Sequence, residues 1–224
     1  MVLACKAPSG HGDKTGSDSK QLASVESKVV FDAASLSCSQ AAQILRLDEA
    51  NITQLMHAVL CQDYDLVRSY LGSGVDPNAA VDGKDSLFVA VRLGSTDIMK
   101  ELIAAGANLD GGAMVEDSPL LSAFHYFIAT SDWAPFDLLI EAGANPAARN
   151  GVPPYTIVEE LAYFGHYAKV DELLSKGYDQ EEIDGLLEVL MENPNSEDER
   201  YEHLLERVRS LCKSAVCIER FSLD

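Results

Sequence analysis

The chain has 224 residues, of which 47% are hydrophobic, so it is long enough to bury a sizeable core in one or two domains. It carries 36 acidic and 17 basic residues, which give a formal net charge of -19. A surface of this sign argues against nucleic acid and anionic membranes as ligands, because phosphate recognition needs clustered lysine and arginine.

The N-terminal segment, residues 1–30, is rich in serine, glycine, lysine and aspartate and is predicted to be a flexible tether. We expect no transmembrane helix, because the chain has no apolar run of about 18 residues. We expect no signal peptide, because the residues after Met1 soon become polar. Val2-Leu3-Ala4-Cys5 nevertheless resembles the end of a bacterial lipobox. Cys5 is therefore a candidate lipidation site and lipid anchor of a periplasmic lipoprotein, whereas a chance match leaves the cytoplasm as the expected location.

An internal repeat follows a predicted N-terminal capping segment at residues 31–50. Four segments end in glycine, any residue, and then aspartate or asparagine, and successive glycines are 32, 37 and 34 residues apart. Apolar residues recur at helical spacing before each glycine, which suits the left-handed end of a helix. Each unit is therefore predicted to be an antiparallel helix pair with an extended loop. The four glycines are Gly74, Gly106, Gly143 and Gly177.

The second unit, residues 86–108, resembles the ankyrin family, with Ala90 at the close helix contact and Gly94 at the turn between helices. The first unit has Gln62 where that turn glycine is usual. The resemblance implies an all-α ankyrin-repeat solenoid with flanking capping helices. Its repeats are expected at about 51–81, 82–113, 114–150 and 151–179.

Units three and four are predicted to be longer than unit two. The terminal glycine lies 24 residues after Pro119 and 23 after Pro154, but 20 after Ser86. About one extra turn is therefore expected in or after each first helix. In unit three this region contains Trp133, which either anchors a partner or folds back onto the helix pair.

The C-terminal segment, residues 180–224, is predicted to be an acidic helical cap. One helix is expected over 180–192, and a second is expected to begin near Ser196, where Ser196 and Glu199 match a capping box. The spacings of the five cysteines match no zinc site, although Cys212 and Cys217 could form a local disulfide.

The sequence contains none of the common catalytic motifs, so neither an enzyme nor a cofactor or metal site is expected. His166 is predicted to occupy the position where the ankyrin family places a turn-binding residue. The acidic pairs are predicted to be solvent-exposed. These pairs are Glu116-Asp117, Glu159-Glu160 and Glu181-Glu182.

The resemblance implies that partners bind the loop tips and the concave face of the stack. We expect a non-enzymatic module, monomeric when free, that binds and sequesters a basic protein, as a bacterial immunity protein sequesters a toxin. The alternatives are a cytosolic scaffold and, with less support, an enzyme or metal-binding protein. The candidate partner-binding residues are Asp82, Lys84, Asp85, Glu116, Asp117, Tyr126, Trp133, Arg149 and Asn150.

Overall fold

A computed structural model describes residues 36–111, 118–148, 155–176, 179–192, 194–195 and 197–214. The predicted tether and part of the predicted contact set lie outside these residues. The candidates outside them are Cys5, Glu116, Asp117, Arg149 and Asn150.

The described part of the chain is helical, apart from one isolated bridge between Val81 and Lys84, which confirms the all-α prediction. None of its helices is long and apolar enough to cross a membrane. In chain order the helices are α1 Cys38–Ile44, α2 Gln54–Leu60, α3 Tyr64–Gly72, α4 Ser86–Arg92, α5 Thr96–Ala104, α6 Pro119–Thr130, α7 Ala134–Ala142, α8 Ile157–Tyr163, α9 Tyr167–Leu174, α10 Gln180–Glu192 and α11 Glu199–Leu211.

Consecutive helices pair, and the pairs stack. The first helices of the pairs are α2, α4, α6, α8 and α10, and each packs against the second helix that follows it, α3, α5, α7, α9 and α11. Among the first helices, α4 contacts α2 and α6, and α8 contacts α10. The second helices α3, α5 and α7 are also successive neighbours, as are α9 and α11, while α1 packs on α2. This arrangement is the predicted solenoid of helix-turn-helix units.

Each first helix of the four repeats begins at a side-chain cap. A hydroxyl or carboxylate oxygen accepts the N–H three residues ahead, so one of the unpaired donors at the helix start is satisfied. The caps are Thr53 to Met56 at 3.0 Å, Asp85 to Phe88 at 2.7 Å, Ser118 to Leu121 at 3.1 Å and Thr156 to Glu159 at 3.2 Å.

The residue at the turn between the two helices of each repeat has a positive φ. Gly94 and Gly165 adopt it at 65° and 80°, as the sequence pattern predicts. Gln62 and Ser131 adopt the same left-handed conformation at 53° and 61°. The turn geometry is therefore retained where glycine is missing, at the steric cost that a side chain incurs in this region.

Two side chains, each four residues after a repeat glycine, join neighbouring units. Asn78 accepts the N–H of Asn108 at 2.7 Å and donates to the carbonyl of Gly106 at 3.0 Å. Asp110 accepts the N–H of Asn145 at 2.7 Å. The acceptors that recur with the repeat form local turns, because each accepts the N–H two residues ahead. These recurring acceptors are Asp76, Asn108 and Asn145.

The third repeat contains the predicted extra turn, whereas the prediction of an extra turn in the fourth is wrong. Helix α6 has 12 residues, but α2, α4 and α8 have seven each. Helix α8 begins at Ile157, which is 20 residues before Gly177, just as Ser86 is 20 residues before Gly106. The predicted extra length arose because the distance was taken from Pro154, which precedes the first residue of α8.

Helix α11 begins later than the capping box at Ser196 and Glu199 predicts, and Ser196 itself lies outside the described residues. Helix α11 begins at Glu199, and Asp198 caps it by accepting the N–H of Arg200 at 2.9 Å. The cap therefore lies two residues later than the sequence pattern suggested.

A disulfide that the sequence did not predict joins the start of the stack. Cys38 of α1 and Cys61 at the end of α2 are bonded, with their Cα atoms 4.6 Å apart. It fixes α1 to the first repeat. Cys212 is also disulfide-bonded, and Cys217 lies outside the described residues, so the Cys212–Cys217 pairing stays a prediction.

Candidate functional site

The loop tip before α4 is a tight hairpin. The N–H of Val81 donates to the carbonyl of Lys84 at 2.8 Å, and the N–H of Lys84 donates back at 3.0 Å. The two central residues, Asp82 and Gly83, have φ values of 50° and 73°, which is the pattern of a type I′ turn. Asp82 is exposed at this tip and Lys84 is half-buried. Their contact with a partner stays a prediction.

Asp85 is buried next to the tip and not exposed on it, and its contact with a partner stays a prediction. Its side chain is 9% exposed, and its Oδ1 accepts the N–H of Phe88 at 2.7 Å. Burial raises the pKa of Asp85, although the backbone N–H bonds oppose that shift. The carboxylate caps α4 and is directed at the backbone.

Replacing Asp85 with alanine is expected to lower the free energy of unfolding by about 1 kcal/mol, because α4 loses its cap. Asp85→Asn keeps an acceptor without a buried charge and should be nearly neutral. Asp82→Asn, three residues earlier, serves as the exposed control, because it removes the same charge and asparagine suits the φ of 50°. Urea unfolding followed by circular dichroism measures all three, and equal midpoints for Asp85→Ala and the wild type would disprove the cap.

Tyr126 packs against the neighbouring repeat. A Cβ built on Gly94 would overlap the Tyr126 ring, so the ring occupies space that the missing side chain leaves. Burial raises the pKa of Tyr126, and the negative charge of Asp132 raises it further. Tyr126 is half-buried. Its established contact is within the stack, and its contact with a partner stays a prediction.

Trp133 folds back onto the helix pair, which is one of the two alternatives that the sequence left open. Its ring stacks on Phe127 with centroids 3.6 Å apart and contacts Phe136 edge-on at 5.2 Å. The Nζ of Lys169 lies 5.2 Å from the Trp133 centroid and also pairs with Asp137 at 2.5 Å. Trp133 is thus half-buried between repeats three and four.

His166 occupies the predicted position, directly after the turn at Gly165, and its side chain has a structural role there. His166 stands at the N-terminus of α9 without a side-chain cap bond, and its ring lies edge-on to Phe124 at 5.4 Å and Phe127 at 5.0 Å. Burial lowers the pKa of His166, and the positive charge of Arg200 lowers it further. The imidazole is part of an aromatic cluster that joins repeats three and four. The other members of the cluster are Phe124, Phe127, Trp133, Phe136 and Phe164.

The free energy of unfolding is expected to decrease as the pH is lowered, because His166 is buried. Since the folded-state pKa lies below the unfolded value, the unfolded chain binds more protons as pH falls below about 6.5. This loss stops once pH has passed below the folded-state pKa. Thermal unfolding between about pH 5 and 8 should show a shallower pH dependence for His166→Phe than for the wild type. The exposed His203→Gln is the control, and identical slopes for His166→Phe and wild type would contradict this assignment.

Charge is distributed unequally between the two sets of helices. The described second helices are joined across repeats by ion pairs, whereas Arg92 is the one lysine or arginine in the described first helices. Those first helices carry seven carboxylates, all of them in α8 and α10. The ion pairs are Arg68–Glu101, Lys169–Asp137 and Arg207–Asp171.

No protein-family model matches this sequence, and a search of curated proteins found no match. Among solved structures the chain is similar to the crystal structure of the human ASB11 ankyrin repeat domain. The two are 18% identical, the alignment covers 70% of this chain and 84% of that chain, and the TM-score is 0.45.

One acidic pair is not exposed as the sequence analysis expected. Glu159 is 4% exposed, and its Oε2 accepts the N–H of Thr156 at 2.8 Å, which completes a capping box at the start of α8. Within the described ranges, no group of three or more histidine, cysteine or acidic side chains is placed to hold a metal ion.

Proposed function

We propose that this chain is a non-enzymatic interaction module that binds and sequesters a basic protein. The observation that supports this most strongly is the unequal charge of the stack. Three basic residues of the second helices, Arg68, Lys169 and Arg207, form ion pairs between repeats. The first helices α8 and α10 carry carboxylates and no basic residue. A field of this sign attracts a basic surface and speeds its association.

The hairpin at residues 81–84 adds an exposed carboxylate, Asp82, on a tightly hydrogen-bonded tip. A rigid tip loses little entropy when it is bound, which favours its use as a contact. The predicted contacts outside the described residues belong to the same proposal. They are Glu116, Asp117, Arg149 and Asn150.

Affinity capture from the source organism, followed by mass spectrometry, tests this proposal. We expect one enriched partner with a strongly basic surface. Its affinity for the chain should fall for Asp82→Lys and Glu192→Lys, which reverse exposed charges on the hairpin and on α10.

Glu141→Lys is the matched control, because it makes the same charge change on the exposed surface of a second helix, α7. An equal loss of affinity for all three variants would mean that net charge matters and location does not. A captured partner that is acidic would contradict the proposal.

The narrower hypothesis is an immunity protein, anchored through Cys5 in the periplasm, that neutralises a toxin. Mass spectrometry of the intact protein from cells should then detect a lipid on Cys5, and the captured partner should lose its toxic activity when the chain is added. An unmodified Cys5 and a partner without toxicity would favour a cytosolic scaffold.

A further inference from the structure

A cleft of about 370 Å³ opens between α8 and α10, at the acidic end of the stack. Tyr163 and Phe164 line one side of it, and Val189 and Glu192 line the other. Tyr155 and Tyr163 also border the cleft and are 43% and 41% exposed, more than any other large hydrophobic side chain in the described part. Two aromatic rings are therefore accessible at one opening.

A buried carboxylate forms part of the cleft wall. Glu159 lines the cleft although its side chain is 4% exposed, and the N–H of Thr156 holds its Oε2 at 2.8 Å. A Cβ built on Gly185 would overlap Oε1 of Glu159, so the glycine in the middle of α10 makes room for the carboxylate. A glycine there weakens the helix by about 0.5–1 kcal/mol relative to alanine.

The charged residues that line the cleft are all acidic. Glu160 and Glu192 line it together with Glu159, and no lysine or arginine does. Glu192 is also the last residue of α10, where the unpaired carbonyl groups at a helix C-terminus favour a cation. An acidic side chain would be repelled here. An apolar one would remove water from Glu192 without replacing its hydrogen bonds.

We propose that this cleft binds an arginine side chain of the basic partner. Arginine matches both features of the cleft, because its planar guanidinium stacks on an aromatic ring and donates paired hydrogen bonds to carboxylates. The guanidinium lies against the Tyr163 ring and faces Glu192 at the rim. This assignment rests on the proposed function, since it names the partner group that the acidic end recognises.

A short peptide tests the cleft by itself. The probe is N-acetyl-Gly-Ser-Arg-Gly-Ser-amide, and the same peptide with citrulline is the uncharged isostere. We expect the arginine peptide to cause saturable amide shifts at Tyr163, Val189 and Glu192 in two-dimensional NMR. Its dissociation constant should be on the order of 1–10 mM, as suits one side chain. Equal binding of the citrulline peptide, or shifts located elsewhere, would overturn the proposal.

Tyrosine variants distinguish specific binding in the cleft from general electrostatic attraction of the peptide to the acidic chain. Tyr163→Ala should weaken the peptide about three- to fivefold, whereas Tyr163→Phe keeps the ring and the affinity. Tyr64→Ala removes an exposed tyrosine on α3, 37% exposed and next to Glu101, and should leave binding unchanged. Equal affinities for Tyr163→Ala and Tyr64→Ala would overturn the cleft assignment.

The same variant distinguishes this inference from the proposed function. A captured basic partner that binds Tyr163→Ala as tightly as wild type overturns the arginine cleft and leaves the interaction module standing. A chain that captures no basic partner but binds the arginine peptide at Tyr163 supports the cleft and contradicts sequestration.

Discussion

Replacing Phe124 with alanine is expected to lower the free energy of unfolding by about 3–5 kcal/mol, the range for truncating a buried aromatic side chain. Phe124 is fully buried on α6. Its ring lies 5.6 Å from Phe164, 5.4 Å from His166 and 6.3 Å from Trp133. No other side chain of the third repeat combines complete burial with contacts to this many aromatic rings in the described part of the chain.

Truncating Phe124 should also separate the unfolding of the repeats before this contact from the unfolding of the repeats after it. The backbones of α6 and α8 approach each other less closely than those of α4 and α6, so the aromatic side chains form much of the contact between repeats three and four. In a repeat stack, stability depends on such nearest-neighbour contacts. Once Phe124 is truncated, the repeats on either side should unfold at different denaturant concentrations.

Two signals measure this separation. Trp133 is the single tryptophan of the chain and lies in the aromatic cluster, so its fluorescence reports on this interface, whereas circular dichroism reports on all helices. In wild-type protein the two urea transitions should coincide. In Phe124→Ala the fluorescence transition should come first. Leu121→Ala, a half-buried position on the same helix, is the control. Coincident transitions in Phe124→Ala, with a loss below about 1 kcal/mol, would contradict this role.

Replacing Gly94 with alanine is expected to destabilise the protein by about 2–4 kcal/mol, combining left-handed strain with overpacking. Gly94 has a φ of 65°, and a Cβ there would overlap the Tyr126 ring. Gly106→Ala is the matched control, because Gly106 has a φ of 89° and no atom lies within 4 Å of its added Cβ. The control should lose about 1–2 kcal/mol, from backbone strain alone.

A double-mutant cycle isolates the steric part. In the background Tyr126→Ala, the ring is gone, so Gly94→Ala should cost no more than Gly106→Ala does. The measurement is the free energy of urea unfolding for the four proteins of the cycle. Equal costs of Gly94→Ala with and without the Tyr126 ring would show that the two residues do not contact in solution.

The features that the sequence predicted well are those that recur. Helix pairing and the turn at Gly94 follow from apolar spacing and glycine position, which act over a few residues. The period of the repeat also predicted the stack. Even so, the first helix of the fourth repeat was counted from Pro154, because a proline is common at the first turn of a helix, whereas the observed cap is Thr156.

The features that the sequence did not predict depend on contacts between distant residues. Cys38 and Cys61 are 23 residues apart and meet because α1 packs on α2. In the sequence, Asp85 and Glu159 cannot be distinguished from exposed acidic residues, but both are buried in the structure, where they take part in helix caps. The packing of His166 on Phe127 was not predicted either, because it depends on the extra turn of α6. In each case, burial and partners are set by tertiary packing.

The contact of the candidate residues with a partner stays a prediction, and the structure shows which described acidic residues are exposed. The sequence indicated acidic loop tips, and Asp82 does lie exposed on a hairpin. The densest negative charge of the described first helices, however, is in α8 and α10, where sequence analysis assigned only solvent-exposed pairs. The charges of these two helices add up because the helices pack side by side.

The affinity of the captured partner as a function of salt tests the proposed function most directly. The measurement is the dissociation constant, by titration calorimetry, between about 0.05 and 1 M NaCl, over which the Debye length falls from more than 10 Å to about 3 Å. If carboxylates of this stack recognise a basic protein, the dissociation constant should rise steadily across the range. A dissociation constant that stays the same up to about 1 M would contradict charge-based binding.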